Sequence, residues 1–129
     1  MPSVFSRIIQ GEIPCYKIYE DEFVFALLAK DQIHLGHVLV VPKVEIDYFI
    51  DVPEPYYSAV FQAAQKIAPA IQKATECLRV GLMVDGREVP HFHLHLVPLN
   101  EFDALGFEGA KTYPVAEMEE IREKIVGNI

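Results

Sequence analysis

The sequence is poor in the residues that staple or anchor a chain. It has two cysteines, Cys15 and Cys77, far apart and in no paired spacing. That excludes a disulfide framework and a CxxC metal knuckle, and it suits a reduced, cytoplasmic setting. The longest apolar run, FVFALLA at 23–29, falls far short of the ~20 residues a membrane helix needs. The start, MPSVFSRIIQGEIP, lacks the basic stretch and apolar core of a secretory signal. Positive charge is scarce too: 11 Lys and Arg face 19 acids, for a formal charge of −8, with no basic block. A protein that grips nucleic acid by its phosphates carries the opposite balance, so nucleic acid is excluded as a partner. An anionic ligand would have to be small and be met by local positive potential.

What is present suits one folded domain over residues 1–129, with 51% hydrophobic and 23% charged residues and no repeat or linker. Residues 3–10 predict a short helix capped by Ser3 and ended by Gly11. YKIYE (16–20) and FVFALLA flank an acidic turn and predict a hairpin, and HVLVVPK (37–43) a central strand. From Tyr57 to Ile71 apolar residues recur at helical spacing, and Pro69 should kink or end that helix. Its alanines, Ala59, Ala63, Ala64, Ala68 and Ala70, allow close packing on a second copy as well as on the sheet. LRVGLMV (78–84), a turn at Asp85-Gly86 and residues 89–97 predict two further antiparallel strands, and the tail from Val115 a closing amphipathic helix. Strands in runs with one long helix between them indicate an α+β protein with a mostly antiparallel sheet.

Within HFHLHLVP (91–98), histidines stand at every second position. On an extended backbone His91, His93 and His95 share one face, while Phe92, Leu94 and Leu96 turn to the core. A metal site could use two of them, His91 and His93, as in a cupin, with His37 and Glu88 or Glu101 completing the set. A phosphoryl-transfer site uses all three. Neutral imidazole attacks phosphorus and leaves again at working pH, so the middle ring, His93, is the candidate nucleophile and its neighbours can donate to the phosphoryl oxygens. If a backbone carbonyl holds the His93 Nδ1–H, Nε2 keeps the free lone pair. His34, in a polar loop, reads as plain surface.

His91-Phe92-His93-Leu94-His95-Leu96-Val97 fits H-φ-H-φ-H-φ-φ. With GHVLVVPK (36–43), GREVPHFHLHLVP (86–98) and VFSRIIQGEIPCYKIYED at the start, the chain resembles the histidine triad (HIT) family of nucleotidyl hydrolases and transferases, and is similar to its phosphoramidase branch. The resemblance implies an α+β homodimer with a mostly antiparallel five-stranded sheet, one long helix, a short N-terminal helix and a C-terminal helix. It also implies cleavage of a purine nucleotide or nucleotide conjugate at the α-phosphorus through a nucleotidyl-histidine on His93. His91 and His95 would then flank the phosphate, and His37 matches the family's additional active-site histidine. Phe5, Ile8 and Leu27 fall where the family forms its purine pocket.

The chain departs from that pattern in several places. Ser3, Ser6 and Glu45 replace the Cys, Cys and His of zinc-bearing members, so neither a metal nor another cofactor is expected. Ala29 stands where the family has a ribose-binding Asp, with Asp31 two residues on. Arg87-Glu88 replaces a Gln-x-Ser/Thr step near the phosphate. A strand drawn back to residue 87 puts Arg87 on the histidine face as an anion contact and Glu88 opposite. Beside the phosphoramidase reading stand a dinucleoside polyphosphate hydrolase, the cupin-like metalloprotein, and a nucleotide-binding dimer without turnover.

Overall fold

Residues 2–129 are described by a computed structural model. The first helix, α1 (Val4–Ile9), starts where Ser3 Oγ accepts the Ser6 N–H at 3.0 Å; Gly11, just beyond it, takes a φ of +82°. Strands β1 (Lys17–Glu20) and β2 (Val24–Leu28) form an antiparallel hairpin. Asp21 closes its turn by accepting the Phe23 and Val24 N–H groups at 2.8 and 3.0 Å, the local bond that makes Asp a turn residue. Then come β3 (Val38–Pro42), the long α2 (Tyr56–Thr75), β4 (Arg79–Met83), β5 (Leu94–Leu99) and α3 (Val115–Val126). The five strands lie in the order β1-β2-β3-β5-β4, every neighbour antiparallel, which makes this an α+β fold.

Alternation along the strands gives the sheet two unlike faces. Val24, Ala26, Leu28, Val38, Val40, Leu94 and Leu96 face α2 and α3, where Val60, Ile67, Ile71 and Ile121 complete the main core. Each Val, Leu or Ile among them contributes about 1.5–3 kcal/mol when fully buried. Phe25, Leu27, Ala29, Leu39 and Val41 face the other way, covered in part by Phe5 of α1.

Two expectations are corrected here. Of the two outcomes expected at Pro69, a kink or an end, the end does not occur: helix α2 runs on to Thr75, and Glu76 stops it in the left-handed conformation (φ 59°). Pro69 and Gln65, whose carbonyl loses its usual partner, are both exposed, so water can satisfy that oxygen. Ile67, Ala70 and Ile71 are fully buried around the proline and hold the helix together. Strand β5 starts at Leu94, not residue 89, because the preceding backbone bonds elsewhere: the His91 N–H donates to the Val89 carbonyl at 2.8 Å and the Phe92 N–H to the Ile46 carbonyl at 2.7 Å. Of the alanines of α2, Ala63, Ala64 and Ala70 pack in this chain's own core, and Ala59 and Ala68 are half-buried.

Candidate active site

Although residues 91–93 precede the regular strand, they keep its alternation. Phe92 joins the helix-side core with Leu94 and Leu96. The histidines turn the other way, toward α1, where the Phe5 ring stands edge-on to His91 and His93 at 5.7 and 4.9 Å. They are not a solvated face: His91, His93 and His95 are 0%, 3% and 3% exposed.

Hydrogen-bond partners, backbone for His37, His91 and His93 and the His37 ring for His95, fix the tautomers, since an N–H must donate and a carbonyl must accept. His93 Nδ1 lies 2.7 Å from the His91 carbonyl oxygen, so Nδ1 carries the proton and Nε2 the lone pair. The Ile33 N–H donates to His37 Nδ1 at 3.1 Å. His37 Nε2 is therefore the protonated nitrogen, and it donates to His95 Nδ1 at 2.9 Å. That leaves His95 Nε2 as an N–H donor. It is buried and has no partner. Its ring stands 4.9 Å from that of His93. A lone pair and an unpaired donor thus sit side by side, which is what attack on a phosphoryl group and stabilisation of its oxygen require.

His91 is different, and the expectation that it flanks the phosphate is corrected. Its Nε2–H donates to the Pro42 carbonyl at 2.8 Å and its Nδ1 accepts from Ser3 Oγ at 2.8 Å, so no nitrogen remains for a ligand. What it offers the site is its carbonyl, which orients His93. Burial lowers the pKa of His91, pushes His37 down to about 3 and His95 to about 4, the last helped by His93 beside it. His37 and His95 are therefore neutral at neutral pH.

Gln32, fully buried, organises the turn that delivers His37. Its Nε2 donates to the Ala29 and His37 carbonyls at 2.6 and 2.9 Å, and its Oε1 accepts the Gly36 and His37 N–H groups at 2.8 and 3.0 Å. Gly36 has a φ of +110°, and a Cβ there would come within 2.8 Å of Thr75 Cγ2. Neither Gln32 nor Phe107, edge-on to His95 at 5.3 Å, stands out in the sequence, because a single buried amide or loop aromatic has no period.

His37, His93 and His95 line a cleft of about 660 Å³ with Phe5, Ile8, Leu27, Leu39 and Glu88, and with Ala29, Lys30 and Asp31 along one side. The structure thus brings the expected pocket residues Phe5, Ile8, Leu27 and Asp31 to one place. His93 also lines a second hollow of about 600 Å³ with Tyr48, Phe49, Phe61 and Asp47. His34 lies away from the cleft, its Nε2 at 2.9 Å from the Ala104 carbonyl.

The expected positions of Arg87 and Glu88 are reversed. Arg87 is turned into solvent and grips Asp85 through Nε and Nη2 at 2.7 and 2.8 Å, an i−2 partner its own turn supplies. Glu88 is the residue in the cleft, with Oε1 at 3.7 Å from Nε2 of both His93 and His95.

Three metal readings meet this chemistry. Ser3, Ser6, Glu45 and His91 stand together, but they satisfy one another. Glu45 Oε1 accepts the Ser3 N–H and the Ser6 hydroxyl, both at 2.6 Å, bonds that hold its carboxyl down to about 2. Hydroxyls are weak ligands for zinc, and this set does not fit it. The His91 and His93 pair of a cupin-like site is overturned by the engaged nitrogens of His91 and by a helix-covered sheet. Glu88, His93 and His95 bring ligand atoms within 4.8 Å of one another, but His95 Nε2 carries a proton and no lone pair, so only Glu88 and His93 have lone pairs to offer a cation.

The HIT domain model matches residues 10–102, and the chain belongs to the HIT family. Protein hit of Bacillus subtilis is 32% identical over 95% of this chain and 90% of its own length. Adenosine 5'-monophosphoramidase HNT1 of Saccharomyces cerevisiae is 30% identical over 74% of this chain and 61% of its own. A HIT-like protein of Bartonella henselae, solved as a crystal structure, superimposes with a TM-score of 0.88 at 29% identity, covering 98% of this chain and 96% of that one.

Proposed function

We propose that this chain is a nucleotidyl hydrolase that cleaves a purine nucleoside phosphoramidate at its α-phosphorus through a covalent intermediate on His93. One observation carries the reading: His93 donates Nδ1–H to the His91 carbonyl and so presents a bare Nε2 beside the unpaired His95 Nε2–H. In the first step the Nε2 lone pair bonds to phosphorus as the bond from phosphorus to the amine nitrogen breaks. The amine leaves with that electron pair and is protonated from water. His95 Nε2–H donates to a phosphoryl oxygen, and His37 holds His95 in the donating tautomer. Water then displaces His93 from phosphorus, releasing the nucleoside monophosphate and restoring the neutral ring.

The base belongs between Phe5, Ile8 and Leu27, and Asp31, which also lines the cleft, offers an acid for a ribose hydroxyl where Ala29 has none. A relative named as an adenosine phosphoramidase supports the substrate class. We take the chain to act as one domain over 1–129 and as a homodimer. The outer edge of β4, with Leu78 and Leu82 64% and 49% exposed, is the surface that favours a second copy. Free thiols at Cys15 and Cys77 suit a reducing cytoplasm.

The test is brief incubation with adenosine phosphoramidate, followed by intact mass measurement at neutral pH. Wild type acquires an adenylyl adduct that maps to residues 91–97. His93→Ala acquires none and turns over at least about a thousandfold more slowly, with an unchanged circular dichroism spectrum. Full activity in His93→Ala would end the proposal.

A further inference from the structure

We infer that the leaving group of the substrate carries a positive charge and that Glu88 selects it. This rests on the phosphoramidase reading and goes beyond it, because nothing in the attack by His93 requires an acid nearby. The Glu88 carboxylate reaches within 3.7 Å of Nε2 on both His93 and His95. A phosphorus bonded to the first nitrogen, with an oxygen hydrogen-bonded to the second, lies beside that carboxylate. Whatever else the phosphorus bears is therefore a near neighbour of Glu88. Like charge there is repelled and opposite charge drawn in.

The surroundings do not cancel the effect. The two cavities that meet at His93 are lined by the acids Asp31, Asp47, Asp85 and Glu88 against the cations Lys30 and Arg87, and Arg87 is already clamped to Asp85. The second hollow, which shares His93 with the first cleft, has the lining of a cation site. Tyr48, Phe49 and Phe61 line it together with Asp47, and aromatic rings with an acid can hold an ammonium group. The substrate so defined has three parts: a purine nucleoside in the first cleft, a phosphoramidate at His93 and His95, and an amine with a distal ammonium running into the second hollow. That ammonium keeps its charge throughout, and only the nitrogen bonded to phosphorus takes up a proton on leaving.

The experiment uses three adenosine phosphoramidates of equal length whose leaving amines end in an ammonium, a methyl or a carboxylate. On wild type kcat/KM falls in that order, with about tenfold or more between the charged extremes, as expected for reversing one charge about 5–6 Å from a carboxylate under water-like screening. In Glu88→Gln that ratio shrinks about tenfold. A wild type indifferent to the terminal charge, or a Glu88→Gln ratio equal to that of wild type, overturns the proposal. Calorimetric titration of His93→Ala with the same compounds separates this failure from failure of the hydrolase reading. Tighter binding of the ammonium compound that Glu88→Gln abolishes upholds the cation site even if none is hydrolysed. Equal binding of all three sinks it.

Discussion

The two faces of the sheet are made by alternate residues of the same strands, yet they do different work. The face under α2 and α3 is apolar throughout. The buried polar side chains among the described residues, Ser3, Gln32, His37, His91, His93 and His95, belong to the other face and its rim. All of their buried side-chain nitrogens and oxygens have partners except His95 Nε2. A buried donor without an acceptor costs stability, and this buried side-chain donor stands where a ligand can supply the missing partner. Truncation should separate the faces sharply. Ile67→Ala, on the helix side, should cost about 2–5 kcal/mol in denaturant unfolding while leaving the kinetics of the folded fraction intact. Leu27→Ala, on the cleft side, should lower nucleotide affinity as well as stability. Equal kinetic losses from both would erase the distinction.

Acid should unfold the molecule from the cleft side. His37 and His95 stay neutral in the fold to about pH 3 and 4, whereas in the unfolded chain they take up protons below about 6.5. The unfolded state binds more protons across that window, so stability falls as pH falls, by up to about 1.4 kcal/mol per pH unit for each ring. Glu45 and Asp85, whose carboxyls are held down to about 2, add their loss below about pH 4.5, which leaves pH 6.5–5 as the range that reports the histidines. Melting temperature followed from pH 7 to 5 checks this. A flat profile would mean that the rings are solvated.

The same contrast explains what could be read in advance. The apolar face follows period 2 in the strands and 3.6 in the helices, so Val24, Leu94 and Ile67 announce both their elements and their side. The triad is legible for the same reason, because alternation survives even where the ladder bonds of β5 have not begun. What period cannot show is where a polar atom ends. Nothing in His-Phe-His-Leu-His tells that His91 is held by Ser3 and Pro42 while His95 is left open, since those partners come from residues far along the chain. Pro69 leaves a kink and an end both open in the sequence, and the helix does not end there. The proline is a local signal that tertiary burial of Ile67 and Ile71 overrides.

Arg87 and Glu88 sharpen the comparison at its finest scale, since two adjacent side chains of opposite charge change places relative to the extended backbone assumed for them. Once residues 85–90 leave the strand, the rule of alternation lapses. The choice then falls to the nearest partner: Asp85, two residues back, takes the guanidinium in a bidentate grip. That pair stands in water, where such bonds contribute little. Arg87→Ala should therefore move the melting temperature by no more than about 2 °C and kcat/KM by less than about threefold, through the loosened turn alone. Loss of a bidentate phosphate contact would cost far more, because a charge-assisted pair in a shielded site has no water to replace it. A hundredfold fall in Arg87→Ala would show that the loop closes over the substrate and returns the guanidinium to the histidine face, with Glu88 displaced from it.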